Sequence, residues 1–431
     1  MEVRVRLRAK CFFGVFLCLT LASQTFLLAA EQKQQSNTIT LSIDDFIQAA
    51  EHNSVILAKS QAQMRSLVYE GKFARSWNSP YIDFTSQQTK SPAGGKELES
   101  EIYVMVAPRL PWVSSILRQM YKTRYERQSK SYELSKVLTI IGLKRMYLEY
   151  LAQKEQFNVY KNRLSNAKEQ LDIAKVRYDA GRISKSQYLF FRSDYLSVQV
   201  MFENSKRMLS NSLNLLKVGL GIKRDVEDIE VSGLNFDYLD STSLNIESSI
   251  QNSLYMDIVK LDIKDFENMA KAASRSRFDS VEVGVGVVVG ESNNGAGVKV
   301  KIPIPLTTRY GNQKAMHLAL QSGSMREREI LENTLQNTAY SYLEQLDFKR
   351  KAVTLAKNDE DNKRELSQIN KIGYEAGKTS VFEYLTIRNN HLDSMIYTIE
   401  MKKEYINTLA MLEEALAEVL NLPLYNLKPK E

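Results

Sequence analysis

The chain has 431 residues, 43% of them hydrophobic and 25% charged, with a formal net charge of +7. Acidic and basic residues alternate along it instead of forming blocks, as on solvated helical faces, which argues against a nucleic-acid surface. With only Cys11, Cys18, His52, His317 and His391 to draw on, and no phosphate loop, dinucleotide fingerprint, nucleophile elbow or zinc spacing, the sequence offers no catalytic constellation, metal site or cofactor site.

Length alone suggests about three domains, yet no linker divides the chain, so one elongated unit is expected. Residues 1–30 carry Arg4, Arg6, Arg8 and Lys10, an apolar run from Cys11, and Ala29-Ala30 before a polar segment. This is the pattern of a secretory signal peptide, preferred to an uncleaved anchor because Ser23, Gln24 and Thr25 interrupt the run. Neither cysteine sits in a lipoprotein cleavage box. Both leave with the signal, and the charge of the remainder falls to +4 because four basic residues and Glu2 leave with them.

From Thr40 the segment TLSIDDFIQAAEHNSVILAKSQAQMRSLVYEGKFARSWNSP shows helical spacing and closes on Pro80. From Tyr81 the period becomes two, and PYIDFTSQQ and ELESEIYVMVAP, joined by SPAGG, are expected to form a hairpin over 81–110. The pattern returns over 280–305. There Val281, Val283, Val285, Val287 and Val289 share a face opposite Glu282, Gly284 and Gly286, and Val298, Val300, Ile302 and Ile304 alternate with Lys299 and Lys301. Runs of about nine residues suit tilted strands crossing an outer membrane. Val283, Val285, Val287, Val300 and Ile302 are then the lipid-facing set, with Gly284 turned to a polar lumen. Four strands cannot close, and an open edge cannot stand in lipid, so such a barrel must be shared between chains. A soluble two-sided ribbon would alternate in the same way. Trp77, Tyr81, Phe84, Tyr103, Trp112, Phe278 and Tyr310 gather around the hairpins as membrane-interface belts or as packing at strand–helix junctions.

Pro108/Pro111 and Pro303/Pro305 end the hairpins, and the proline-free spans beyond can hold very long helices. In the first, Leu143, Met146, Tyr150, Phe157, Tyr160, Leu164, Ala167, Leu171, Ala174 and Tyr178 follow a heptad, with Gln153 as its exception. Arg177–Leu196 and Gly373–Leu392 then share the pattern Tyr-x-x-Gly-x-x-Ser-x-x-x-Tyr-Leu-x-x-Arg-x-x-x-Leu. Tyr178, Gly181, Ser184, Tyr188, Leu189, Arg192 and Leu196 recur 196 positions later as Tyr374, Gly377, Ser380, Tyr384, Leu385, Arg388 and Leu392. A glycine that ends one helix and a serine that caps the next make each copy the tip of a helical hairpin. The openings also repeat, Leu41, Ile43, Asp44, Ile47 and Gln48 answering Leu244, Ile246, Glu247, Ile250 and Gln251. The chain thus divides into a signal (1–30), a first repeat (31–222, tip near 181), a connector without period (223–242), a second repeat (243–422, tip near 377) and a short tail (423–431).

The signal, the duplicated order, the two tip motifs and the openings TLSIDDFIQAA and SLNIESSIQNS together resemble the TolC family of outer-membrane efflux proteins over essentially the whole mature chain. The exit KIPIPLTTRYGNQKA looks like a turn of the heavy-metal efflux branch. The resemblance implies a mainly α fold with a small membrane β part: duplicated long helical hairpins forming a trimeric α-barrel below a shared twelve-stranded β-barrel, four strands per chain. It implies a passive exit duct of a tripartite efflux or type I secretion system in the outer membrane of a Gram-negative bacterium, extending into the periplasm. The partners implied are two further copies, outer-membrane lipid, a periplasmic adaptor (membrane fusion) protein and an inner-membrane pump of RND or ABC type. The adaptor would dock on Tyr178, Gly181, Arg182, Ser184, Tyr374, Gly377, Lys378 and Ser380. Glu383, Thr386, Asn390 and Asp393 would line the pore near its periplasmic mouth. Gln187 and Thr379 depart from the family's acidic and arginine positions, which puts its inter-helix salt bridge in question. A secreted coiled-coil adhesin would explain the heptads but not the strand hairpins, and an enzyme would need a site the sequence does not show.

Overall fold

The computed structural model describes residues 38–420 apart from 91–93, 224, 240–243, 279–280, 291–293 and 305. The expected signal (1–30) and tail (423–431), and parts of the expected turns and connector, lie outside these residues. In chain order the elements are β1 (Thr38–Leu41), α1 (Ile43–Asn53), α2 (Val55–Arg75), β2 (Tyr81–Lys90), β3 (Lys96–Val106), α3 (Pro111–Asp179), α4 (Lys185–Leu220), β4 (Asp228–Val231), α5 (Ile246–Gln251), α6 (Leu254–Arg275), β5 (Glu282–Gly290), β6 (Asn294–Lys301), α7 (Arg309–Glu375) and α8 (Val381–Leu416).

Two helices set the scale. With 69 and 67 residues, α3 and α7 each run about 100 Å at 1.5 Å per residue, and neither contains an interior proline. Pro111 opens α3 at its first turn, where the missing N–H costs nothing. In the half nearer the strands the helices lie side by side as α2, α3, α6 and α7; in the half nearer the tips they lie as α4, α3, α8 and α7. Four of the strands form one antiparallel sheet in the order β2-β3-β5-β6, so both its outer edges are unpaired.

Between the two halves, short β1 and β4 pair in parallel and cover the apolar core around Phe46, Ile47, Leu143, Tyr147, Leu216 and Ile229. A second core gathers Leu239, Ile246, Ile250, Leu346, Tyr405 and Leu412. The connector of residues 223–242 is stitched to both: the Val231 N–H donates to the Tyr147 hydroxyl and the Leu239 N–H to the Tyr405 hydroxyl, each at 2.8 Å. Lys144 of α3 meets Glu413 of α8 at 2.6 Å with both side chains buried. The same carboxylate accepts the Leu420 N–H, which fixes the chain as it leaves α8. Burial raises the Glu413 pKa, and the Lys144 ammonium opposes that rise.

Three local expectations are modified. The stretch from Thr40 to Pro80 is a strand and two helices, because Ser54 leaves helical backbone to cap α2 by accepting the Leu57 N–H, and Asn53 turns its amide to the Leu220 carbonyl at 2.8 Å. The connector contains a strand, β4, whose four residues are too few to display a period. Strand β6 ends at Lys301, so Ile302 lies just past it, where Pro303 has no N–H to continue the ladder.

Candidate functional site: the hairpin tips, the exposed stripe of α8 and the strand sheet

The two tip motifs fold alike. Gly181 and Gly377 adopt left-handed backbone with φ of +69° and +72°. The next residue closes each turn, Arg182 N–H donating to Arg177 O and Lys378 N–H to Gly373 O at 2.8 Å. Ser184 and Ser380 then accept the N–H of Gln187 and Glu383 at 3.2 Å, and Gln187 completes a capping box by accepting the Ser184 N–H. The motif tyrosines stack across each turn: Tyr178 on Tyr188 at 5.2 Å and Tyr374 on Tyr384 at 5.3 Å. This pairing explains their spacing. Adding a side chain at either glycine meets no atom, so the constraint there is backbone conformation alone.

Position within the helical layer separates the copies. Leu385 is fully buried because α8 packs between α3 and α7, whereas its counterpart Leu189 on edge helix α4 is 45% exposed. The tips touch through Phe191 of α4 and Phe382 of α8, stacked at 4.7 Å, with the Arg177 guanidinium over Phe382 at 4.9 Å. Ile183, Ser186, Gln187, Phe190, Phe191 and Phe382 line an open groove of about 460 Å³ beside this stack. Beside Gln187 the tips are thus joined by an aromatic contact.

Glu383, Thr386, Asn390 and Asp393 do form one exposed stripe along α8. The Thr386 hydroxyl donates to Phe382 O. The Asp393 carboxylate lies against Arg163 of α3, while among the described residues no cation pairs with Glu383. Glu169–Arg388 at 3.4 Å and Glu155–Lys402 at 3.3 Å continue the α3–α8 seam with alternating polarity. Gln153 is buried in α3 with its carbonyl oxygen unpartnered. Farther along, His391 is half-buried, and desolvation lowers its pKa despite Glu360 nearby.

In the strand sheet, transverse rows explain the alternation. Ile82, Val104, Val285 and Val298 lie in register across the four strands and are all exposed on one face; Phe84, Ile102 and Val287 follow in the next such row. Val283 is half-covered, and Val300 is exposed beside it. The opposite face is paved and charged. Gly284 does not look into open space: a side chain there would start 2.1 Å from Met105 Sδ and 2.9 Å from Val104 O. Tyr103 crosses Gly286 to Gly297 in the same manner and is buried on this face. Trp77 and Trp112 stand exposed at the strand–helix junctions. The charges of the paved face form a network: Lys301 to Asp83 at 2.8 Å, Lys299 to Asp83 at 3.3 Å, Lys299 to Glu101 at 3.7 Å, and the Tyr81 hydroxyl donating to Glu282 at 2.6 Å.

No protein-family model matches the chain, and no curated protein does. Solved structures do match. The Campylobacter jejuni CmeC outer membrane channel aligns over 87% of this chain and 85% of its own, with TM-score 0.70 and 14% identity. The outer membrane protein VceC of Vibrio cholerae aligns over 87% and 96%, with TM-score 0.66 and 11% identity. The open state of the Neisseria gonorrhoeae MtrE outer membrane channel aligns over 86% and 88%, with TM-score 0.60 and 14% identity. The chain has the fold of these TolC-like channels: long helices with a small β part.

Proposed function

We propose that this chain is one protomer of a homotrimeric outer-membrane exit duct, a passive conduit that an adaptor couples to an inner-membrane pump. The observation that carries this reading is a coincidence of edges. Strands β2 and β6 are the unpaired margins of the sheet, and they lead directly from α2 and into α7, the margins of the helical layer. On one margin Tyr69, Phe73, Phe190, Val200 and Val218 are bare; on the other Ile330, Phe348, Leu355, Ile369 and Ile372 are. Apolar surface on this scale marks an interface, and a sheet with open edges cannot stand in lipid. A second copy supplies both needs, because each chain offers one margin of each kind. Head-to-tail contact of unlike margins closes a ring. Three chains give twelve strands, within the even-numbered range of outer-membrane barrels, which begins at eight.

The exposed, repeated tips, with Arg182 and Lys378 at their turns, support adaptor docking, and the exit KIPIPLTTRYGNQKA makes heavy metals the cargo class to assay first. No helix among the described residues is long and apolar enough to cross a membrane. The test is mass and conductance of the purified protein. A detergent-dependent trimer that forms discrete channels in a planar bilayer is expected. A detergent-free monomer without conductance would overturn the reading.

A further inference from the structure

In a single chain, Lys299 and Lys301 of edge strand β6 reach across the inner face to Asp83 of the opposite edge strand β2. They pass over β3 and β5 to do so. Opposite charges placed on the two free margins of one sheet have a second use whenever margins of different copies meet. Asp83 lies two residues inside the start of β2 and Lys299 two residues inside the end of β6, both at the end of the sheet that joins the helices. The two strands would also run antiparallel across a junction between copies, as every neighbouring pair in this sheet does. Asp83 pairs in register with Tyr103, and Lys299 with Gly284, which puts all of these side chains on the inner face.

We infer that Asp83 and the pair Lys299/Lys301 form the electrostatic seam between copies, exchanging an internal ion pair for one with the β2 or β6 strand of a neighbouring copy as the sheet opens into the ring. The partner is a second copy of this chain, and the inference rests on the ring proposed above. The remaining members of the network explain why the exchange is balanced. Glu101 and Glu282 stay within reach of Lys299 and Lys301 in either state, so neither lysine is left without a carboxylate. In the unassembled chain the same attraction draws the two margins toward each other, shielding edges that would otherwise template misassembly.

The two native cysteines, Cys11 and Cys18, lie in the expected signal, so the chain exported without it is a clean background for cross-linking. Asp83→Cys with Lys301→Cys, purified as a trimer by mass and then oxidised, should run as covalent dimers and trimers on non-reducing gels, while either single variant should not. If the trimer forms but the pair yields only internally bridged monomers, or no bridge at all, the seam inference is overturned and the ring stands. A protein with native cysteine content that forms no trimer overturns the ring and the seam with it. Charge exchange gives a second reading free of thiol chemistry. Asp83→Lys should lower the trimer fraction several-fold, and adding Lys299→Asp with Lys301→Asp should restore it. A triple variant no better than Asp83→Lys counts against the seam.

Discussion

Asp393 and Glu383 face the same way from α8, but Arg163 neutralises the first and, among the described residues, no cation pairs with the second. On the proposed ring, Glu383 would present three unpaired carboxylates near the mouth, a feature that selects cations. Glu383→Gln is therefore expected to reduce cation selectivity and block by trivalent cations, whereas Asp393→Asn, by leaving Arg163 uncompensated, should shift the channel toward anions. Reversal potentials under a salt gradient distinguish the two, and an unchanged Glu383→Gln channel would remove that residue from the lining. At this scale the sequence showed the glycines and serines of the tips because their roles are local, set by one turn of backbone. The Phe191–Phe382 stack was hidden, since its members occupy different places in the two repeats: the counterpart of Phe382 is Ser186 and that of Phe191 is Ile387. Repetition can reveal only contacts that both copies make.

Strands were legible as elements because period-two alternation maps onto the two faces of a sheet. Val285, 63% exposed in the middle of the apolar face, is the position for a lipid test. Val285→Arg should cost about 2–4 kcal/mol near the bilayer centre. Gly284 is no fair control, because Met105 occupies its space; Gly295, on the inner face with nothing within 4 Å, is one. Gly295→Arg is expected to assemble at wild-type levels in the outer membrane while Val285→Arg does not, and equal yields would count against the lipid-facing assignment. What alternation did not reveal is that Gly284 and Gly286 are paved by Met105 and Tyr103 of the neighbouring strand, a cross-strand relation that depends on register. Helices behaved similarly. The heptad of α3 marks its apolar seam, but α3 also meets α8 along a second seam where buried Gln156 and Asn166 face Lys403 and Asn389. A heptad describes one partner, and this helix has several.

The whole molecule has two unlike margins. Val200 on α4 is 70% exposed and Leu355 on α7 is 68% exposed. Burying such side chains contributes about 1.5–3 kcal/mol each, and a carboxylate in their place reverses the sign. Val200→Asp and Leu355→Asp are each expected to convert the trimer to smaller species in detergent, measured by light scattering, while the helical circular dichroism of the chain persists. Unchanged mass in both would mean that these faces are covered by something other than another copy. The open edges β2 and β6 also bear on how the molecule reaches its final state. Every contact described above is made within one polypeptide, so most of the fold is first order in protein. The last hydrogen-bond ladder, on the proposed ring, is not: it forms by collision, its yield obeys mass action, and its stability has no value until a concentration is stated. Dilution in the membrane, rather than any change in sequence, would then be enough to leave a correctly folded chain without a pore.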